Sequence, residues 1–201
     1  NKDTDMIVFS ELCVSGYYPW DLMSRPSFKN RQEKALSQLI EKSKEVKTNA
    51  MRMLDKHHIR YDMIQYECDE FIDGIHSADK IGAPYDQSFK TLVMEGKSGG
   101  YFVFVVPIEK EVDRKAAAKA VGEKTVDMIH VKDITKITGY VRGGCTAVGM
   151  KKQFPTVIQE DAKDLPHMHV SGGKLGMQLT LAPLDLAKAA NAEFADIIHR
   201  P

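Results

Sequence analysis

Lys90 stands at the start of an apolar run, Phe89-Lys-Thr-Leu-Val93. Among the ionisable side chains it is the one whose neighbours point most directly to chemistry. Alternation along an extended chain puts Lys90 and Leu92 on one face, with Phe89, Thr91 and Val93 on the other. Two readings follow. A lysine at a sheet edge can lay its stem over apolar surface and keep its head in water. A lysine facing a cavity can orient a carbonyl or a phosphate.

Two glycine-rich stretches are the next candidates. One runs from Thr138 to Gly149 (TGYVRGGCTAVG), the other from Ser171 to Gly176 (SGGKLG). Glycines let backbone N–H groups approach a ligand, and such loops cradle phosphates, carboxylates or riboses. They also serve as tight turns and bulges. Neither stretch is a GxxxxGK[ST] or GxGxxG motif, so mononucleotide and dinucleotide fingerprints are absent. His167 and His169 alternate on a predicted strand and share a face, but two histidines without a third ligand do not make a metal site. Cys145 lies in the first glycine stretch with no marked His or Asp partner, so it reads as an idle thiol rather than a nucleophile. No cofactor and no metal are expected.

The elements that must position these residues fall into two pieces. In residues 1–46, Met6–Phe9 reads as a short strand, Gly16–Pro19 as a turn and Ser27–Glu45 as a helix with Leu36, Leu39 and Ile40 on one face. One strand and one helix cannot bury a core alone. In residues 47–201, helices are predicted over 50–57, 76–81, 112–121, 133–138 and 185–197, the first capped by Thr48 or Asn49. Strands are predicted over 64–67, 89–94, 101–107, 126–130, 156–159, 167–171 and 177–181. The class is α+β: a mixed, curved sheet or small barrel flanked by helices, with an N-terminal strand–helix appendage.

Composition narrows the function classes. The chain has 201 residues, with 28 basic and 28 acidic side chains. Zero net charge argues against nucleic-acid binding by bulk charge and leaves a local basic face open. Candidates for such a face are Lys115 and Lys119, four apart on a predicted helix, and the adjacent Lys151 and Lys152. Cys13, Cys68 and Cys145 show no CxxC spacing, as expected of reduced thiols in a cytosol. The longest strongly apolar run, Tyr101–Ile108, is far short of the roughly 20 residues of a membrane span. A cytoplasmic protein without membrane contact is expected.

Several separated motifs in residues 47–201 resemble the YbaK/EbsC family of trans-acting Cys-tRNA(Pro) deacylases, relatives of the editing domain of bacterial prolyl-tRNA synthetase. They are KTNAMRMLD at 47–55, YECD at 66–69, FKTL at 89–92, GYVRGG at 139–144, GMKK at 149–152, VSGGK at 170–174, LAP at 181–183 and FADI at 194–197. The sequence departs from the usual family pattern at Thr146-Ala147 and at Leu175, where serine-proline and arginine are common. The resemblance implies that Lys90 is the key functional residue. Tyr66, Thr91, Gly143, Gly144 and Ser171 match other pocket positions, and Lys115, Lys119, Lys151 and Lys152 are candidates for the tRNA backbone. The implied substrate is misacylated tRNA(Pro), with prolyl-tRNA synthetase as a possible partner. Cysteine and proline are similar in size, and a synthetic pocket separates small apolar differences by only about 1–3 kcal/mol, so a second site must restore accuracy. The family's cyclisation, in which the substrate's own thiol attacks its ester carbonyl, needs no protein nucleophile. Alternatives are editing of alanine or serine, or a tRNA- or nucleotide-binding module of the same fold with weakened chemistry.

Residues 1–46 resemble a different family, the nitrilase-type amidase domain of glutamine-dependent NAD synthetases, through DMIVFSELCVSGYYPWDL at 5–22. Glu11 matches that family's general base. The lysine and cysteine of its triad have no counterpart here, and Cys13 is too close to Glu11 to replace a nucleophile from a distant strand. A lone glutamate makes no amidase, so this piece is read as an incomplete, catalytically empty fragment.

Overall fold

The computed structural model describes residues 47–68 and 70–200, together with helical positions Glu33, Lys34 and Ser37, which fall within the helix predicted over 27–45. The chain divides into two compact units, residues 1–46 and 47–201. The strand predicted at Met6–Phe9, and Glu11 and Cys13, lie outside the described residues.

Helix α1 (Asn49–Lys56) starts where the Thr48 hydroxyl accepts from the Met51 N–H, and it buries Ala50, Met51 and Leu54. After β1 (Asp62–Gln65) comes α2 (Gly74–Ile81), capped by the Asp73 carboxylate and ended by Gly82 in the left-handed region. The hairpin of β2 (Phe89–Gly96) and β3 (Tyr101–Pro107) pairs in full register from Phe89↔Pro107 to Glu95↔Tyr101. Then follow α3 (Arg114–Ala120), β4 (Val126–Met128), α4 (Ile134–Thr138) and β5 (Thr156–Gln159). The chain closes with β6 (Met168–Ser171), β7 (Met177–Leu181), α5 (Pro183–Ala190) and β8 (Ala192–Ala195).

The strands form two open sheets, so of the two expected forms the mixed sheet is present and the closed small barrel is not. A mixed five-stranded sheet has the order β4-β2-β3-β5-β8, with β3, β5 and β8 parallel; an antiparallel sheet has the order β1-β7-β6. The sheets touch at an isolated bridge, Ser88↔His169, which does not continue into a ladder and so leaves the barrel unclosed. Strand β3 has both faces buried, as its continuous apolar run requires. Phe102, Phe104 and Val106 join a core with Ala117 and Ala118 of α3, while Val105 joins a second core with α1, α5 and the apolar faces of β6 and β7.

The helix expected over 185–197 stops at Ala190. Asn191 takes φ +49 and ends it, and Ala192–Ala195 pairs with β5 instead. The stretch Ala-Glu-Phe-Ala has little intrinsic strand signal, and the free parallel edge of β5 decides its state. The strand predicted over 64–67 lies two residues earlier for a similar reason, because its pairing with β7 fixes the register. Among the described residues, no helix is long and apolar enough to cross a membrane.

Gln159 ties β5 to the chain's end. Fully buried, its Nε2 donates to Asp161 and Asp196, each at 2.9 Å, and its Oε1 accepts from the Ile197 N–H at 2.8 Å. Gln159→Leu leaves that buried N–H without a partner, which costs about 1–3 kcal/mol. Urea unfolding should show a lower midpoint with unchanged slope; an unshifted midpoint would dismiss this hub.

Candidate active site

Strand β2 is covered along only part of its outer edge. Strand β4 pairs with Met94, Glu95 and Gly96 and goes no further. Ile108 donates to the Ser88 carbonyl and Gly96 to the Gly100 carbonyl, so even-numbered backbone groups of β2 face β3. The odd-numbered groups face outward, as the Ile129 N–H on the Val93 carbonyl confirms. The backbone of Thr91 therefore faces an uncovered edge. A cavity of about 430 Å³ opens there and takes in residues from both faces of the strand, Lys90 and Leu92 as well as Phe89, Thr91 and Val93. That volume lies within the range of small-molecule sites.

Lys90 reaches this cavity partly buried, its Nζ donating to the Ile108 carbonyl at 3.0 Å. Burial lowers its pKa from the ordinary lysine value, and the charge of Glu111 acts the other way. The opposite wall is a polar sheet face. Strands β6 and β7 alternate, sending Met168, Val170, Met177, Leu179 and Leu181 into the core. His169, Ser171 and Gln178 on the other face line the cavity. Ser171 sits opposite Gln178 and His169 opposite Thr180.

A third wall comes from the first glycine stretch. Gly143 has φ +81 and lines the cavity, and the Ser171 hydroxyl donates to its carbonyl at 3.5 Å. The Gly144 N–H is taken by the Val141 carbonyl at 3.0 Å, within its own turn. Gly144 itself lies outside the cavity lining, against the Lys174 backbone. Cys145 does line the cavity, and burial pushes its thiol up to about 12, which keeps it protonated and poorly nucleophilic.

Of the residues singled out from sequence, Lys90, Thr91, Gly143 and Ser171 meet at the cavity. Tyr66 stands one layer back, its hydroxyl donating to Ser77, which does line the cavity. Lys115 and Lys119 lie on α3, whose apolar face packs into the core beneath the five-stranded sheet, and neither lines the cavity. Lys151 and Lys152 are exposed; the Lys151 ammonium reaches the Lys136 carbonyl of α4, the helix that supplies cavity residue Ile134.

Sequence reasoning missed Phe71 and Arg142. The guanidinium stacks 4.0 Å over the Phe71 ring, and both residues line the cavity. With Ile75, Met128 and Val131, Phe71 forms an exposed apolar rim. Arg142 lies inside the GYVRGG motif, but only its stacking on Phe71 shows its use. Among the described residues, no cluster of three His, Cys, Asp or Glu side chains is placed to hold a metal ion.

The chain belongs to the aminoacyl-tRNA editing domain family, whose model matches residues 75–189. Among curated proteins, a candidate Cys-tRNA(Pro)/Cys-tRNA(Cys) deacylase of Enterococcus faecalis, EbsC, is 42% identical over 160 residues, spanning 79% of this chain and 98% of that protein. Two solved structures share the fold. One is a candidate trans-editing enzyme for prolyl-tRNA synthetase, 22% identical with TM-score 0.65, matching 75% of this chain and 93% of its own. The other is a hypothetical protein, 18% identical with TM-score 0.69, matching 75% and 99%.

Because burial disfavours the charged form of Lys90, the unfolded chain holds more protons between the lowered folded pKa and the ordinary value. Stability therefore rises with pH through that window. Removing the opposing charge in Glu111→Gln should lower the Lys90 midpoint further, and less so at high salt. Competitive acetylation across pH reads this midpoint; an unmoved value would break the assigned pairing.

Proposed function

We propose that residues 47–201 form a trans-acting deacylase that removes cysteine wrongly esterified to tRNA(Pro), in the cytoplasm. The observation that carries this reading is the Lys90 ammonium, partly desolvated beside the bare edge of β2 and facing a polar wall. One of its three N–H donors goes to Ile108, leaving two for substrate. They suit the terminal ribose and phosphate region of a charged tRNA. Gly143 and Cys145 are the loop positions beside the cavity whose N–H groups would meet the ester carbonyl. The relationship to EbsC supports the cysteine substrate.

The substrate's thiol then attacks its own ester carbonyl and leaves as a cyclic thiolactone. Holding the thiol in a near-attack position is the protein's main contribution, and such orientation is worth several kcal/mol. The single-stranded 3′ end suits the Phe71–Arg142 stack, since unpaired bases are held by aromatic and guanidinium planes. Lys136, Arg142, Lys151 and Lys152 are all exposed on or beside the loop and helix bordering the cavity, and would meet the acceptor backbone. Prolyl-tRNA synthetase is the partner proposed to deliver the substrate. Residues 1–46 are proposed to take no part in catalysis.

Purified protein should release cysteine from Cys-tRNA(Pro) faster than alanine from Ala-tRNA(Pro) or serine from a seryl ester. Lys90→Ala should slow release on the order of 10²-fold. The pair Lys151→Ala/Lys152→Ala should raise KM and flatten the salt dependence while sparing kcat. Undiminished release by Lys90→Ala would refute the assignment of Lys90, and preferred release of alanine would shift the substrate.

A further inference from the structure

One buried titratable group of the cavity has no part in that scheme. His169 is 8% exposed and lines the cavity with Lys90 and Ser171. Its Nδ1 is 2.8 Å from the Thr180 hydroxyl, its partner directly across the β6–β7 ladder, which fixes the ring's orientation. Among the described residues no sealed side-chain nitrogen or oxygen lacks a hydrogen-bond partner, so Nε2 of His169, for which no partner is seen, is not sealed. Nε2 is therefore accessible, and the cavity is where His169 meets open space.

We propose that His169 Nε2 is the proton carrier of the cyclisation, taking the substrate's thiol proton and returning it to the leaving ribose oxygen. This rests on the deacylase reading above. As Nε2 accepts the S–H proton, sulfur bonds to the ester carbonyl carbon. The bond from that carbon to the ribose oxygen breaks, and the imidazolium protonates the oxygen. The products are a four-membered thiolactone and tRNA with a free terminal hydroxyl, and the imidazole ends neutral. A hydroxyl partner suits this exchange, because the Thr180 oxygen can accept from Nδ1–H both before and after protonation, which leaves Nε2 as the basic nitrogen. Burial, then the neighbouring His167, hold His169 below the ordinary imidazole value, so the ring is neutral and able to accept at neutral pH. The other titratable groups lining the cavity are Lys90, Asp73, Arg142 and Cys145, and Asp62 stands beyond Thr180 in the same row of the sheet.

Single-turnover release from Cys-tRNA(Pro), followed over about pH 5 to 9, tests this. Wild type should be nearly flat through neutrality and fall off below the ordinary imidazole value. His169→Ala should lose on the order of 10²-fold at neutral pH. Its rate should then climb with pH toward ionisation of the thiol itself, and added imidazole should restore part of the loss. Thr180→Val keeps the ring but frees Nδ1, and should lower kcat more than KM. Lys90→Ala should slow release without moving the acid limb. A His169→Ala protein with wild-type rate and profile overturns the proposal, as does one that keeps the wild-type plateau through neutrality above the same acid limb. If His169→Ala fails to fold, judged by its thermal melt, an unaffected Thr180→Val protein or a wild type without an acid limb overturns the proposal equally. Wild type that releases nothing from Cys-tRNA(Pro) defeats the deacylase reading itself, and this proposal with it.

Discussion

An ammonium taken partly out of water is the constraint around which this site is built. A single backbone carbonyl, that of Ile108, is what the described protein sets directly against the Lys90 charge, with Glu111 acting at longer range. A neutral acceptor does not replace a hydration shell, so the folded state holds a group with unused donors in a place where water is scarce. Such an arrangement gains most when an anionic or carbonyl-rich ligand arrives. The same carbonyl explains why the lysine does not simply point outward as an edge residue would.

The cavity exists because two sheets approach and fail to merge. Strand β4 ends at Met128, opposite Met94, and β6 reaches β2 at the single Ser88↔His169 bridge. Between those limits the edge of β2 is bare. An exposed edge is usually a liability for aggregation; here the 141–145 loop, α4 and the start of α2 surround it and make it a pocket wall. The polar wall opposite depends on register. A slip of β6 by one residue along β7 would send His169 and Ser171 into the core and Val170 into the cavity.

Much of this was legible where local pattern and tertiary demand agree. The alternation His-Met-His-Val-Ser over 167–171 states a two-faced strand outright, and the FKTLV run places Lys90 at a strand's beginning. The start of α1 was readable to within one residue, and the structure makes Thr48 rather than Asn49 its cap. Pattern failed where an edge decided the outcome: β8 exists because β5 offers a parallel partner, not because Ala-Glu-Phe-Ala prefers extension. Phe71 escaped notice because a lone Phe-Ile pair between acidic residues carries no periodicity, and its use depends on Arg142, which lies 71 residues further along the chain.

The two glycine-rich stretches, separate in sequence, are one structure. A side chain at Gly144 would strike the Lys174 backbone at 2.9 Å, and one at Gly143 would strike Leu175 and Phe71 at 2.8 and 2.9 Å. The Thr48 hydroxyl donates to the Gly172 carbonyl at 2.6 Å and ties the second stretch to the start of α1, while the Tyr140 hydroxyl donates to the Val148 carbonyl at 2.7 Å and closes the first stretch on itself. Glycine is required at 143 and 144 first by this close packing, and only then by any ligand. Leu175, one of the departures from the family pattern, packs its methyl against Gly143, which in turn underlies Phe71 and the Arg142 guanidinium. An apolar contact thus holds the loop where an arginine is common in relatives. Because the contact is short-ranged and uncharged, it leaves Arg142 as the cation of this loop that lines the cavity, so binding there should depend on that one guanidinium.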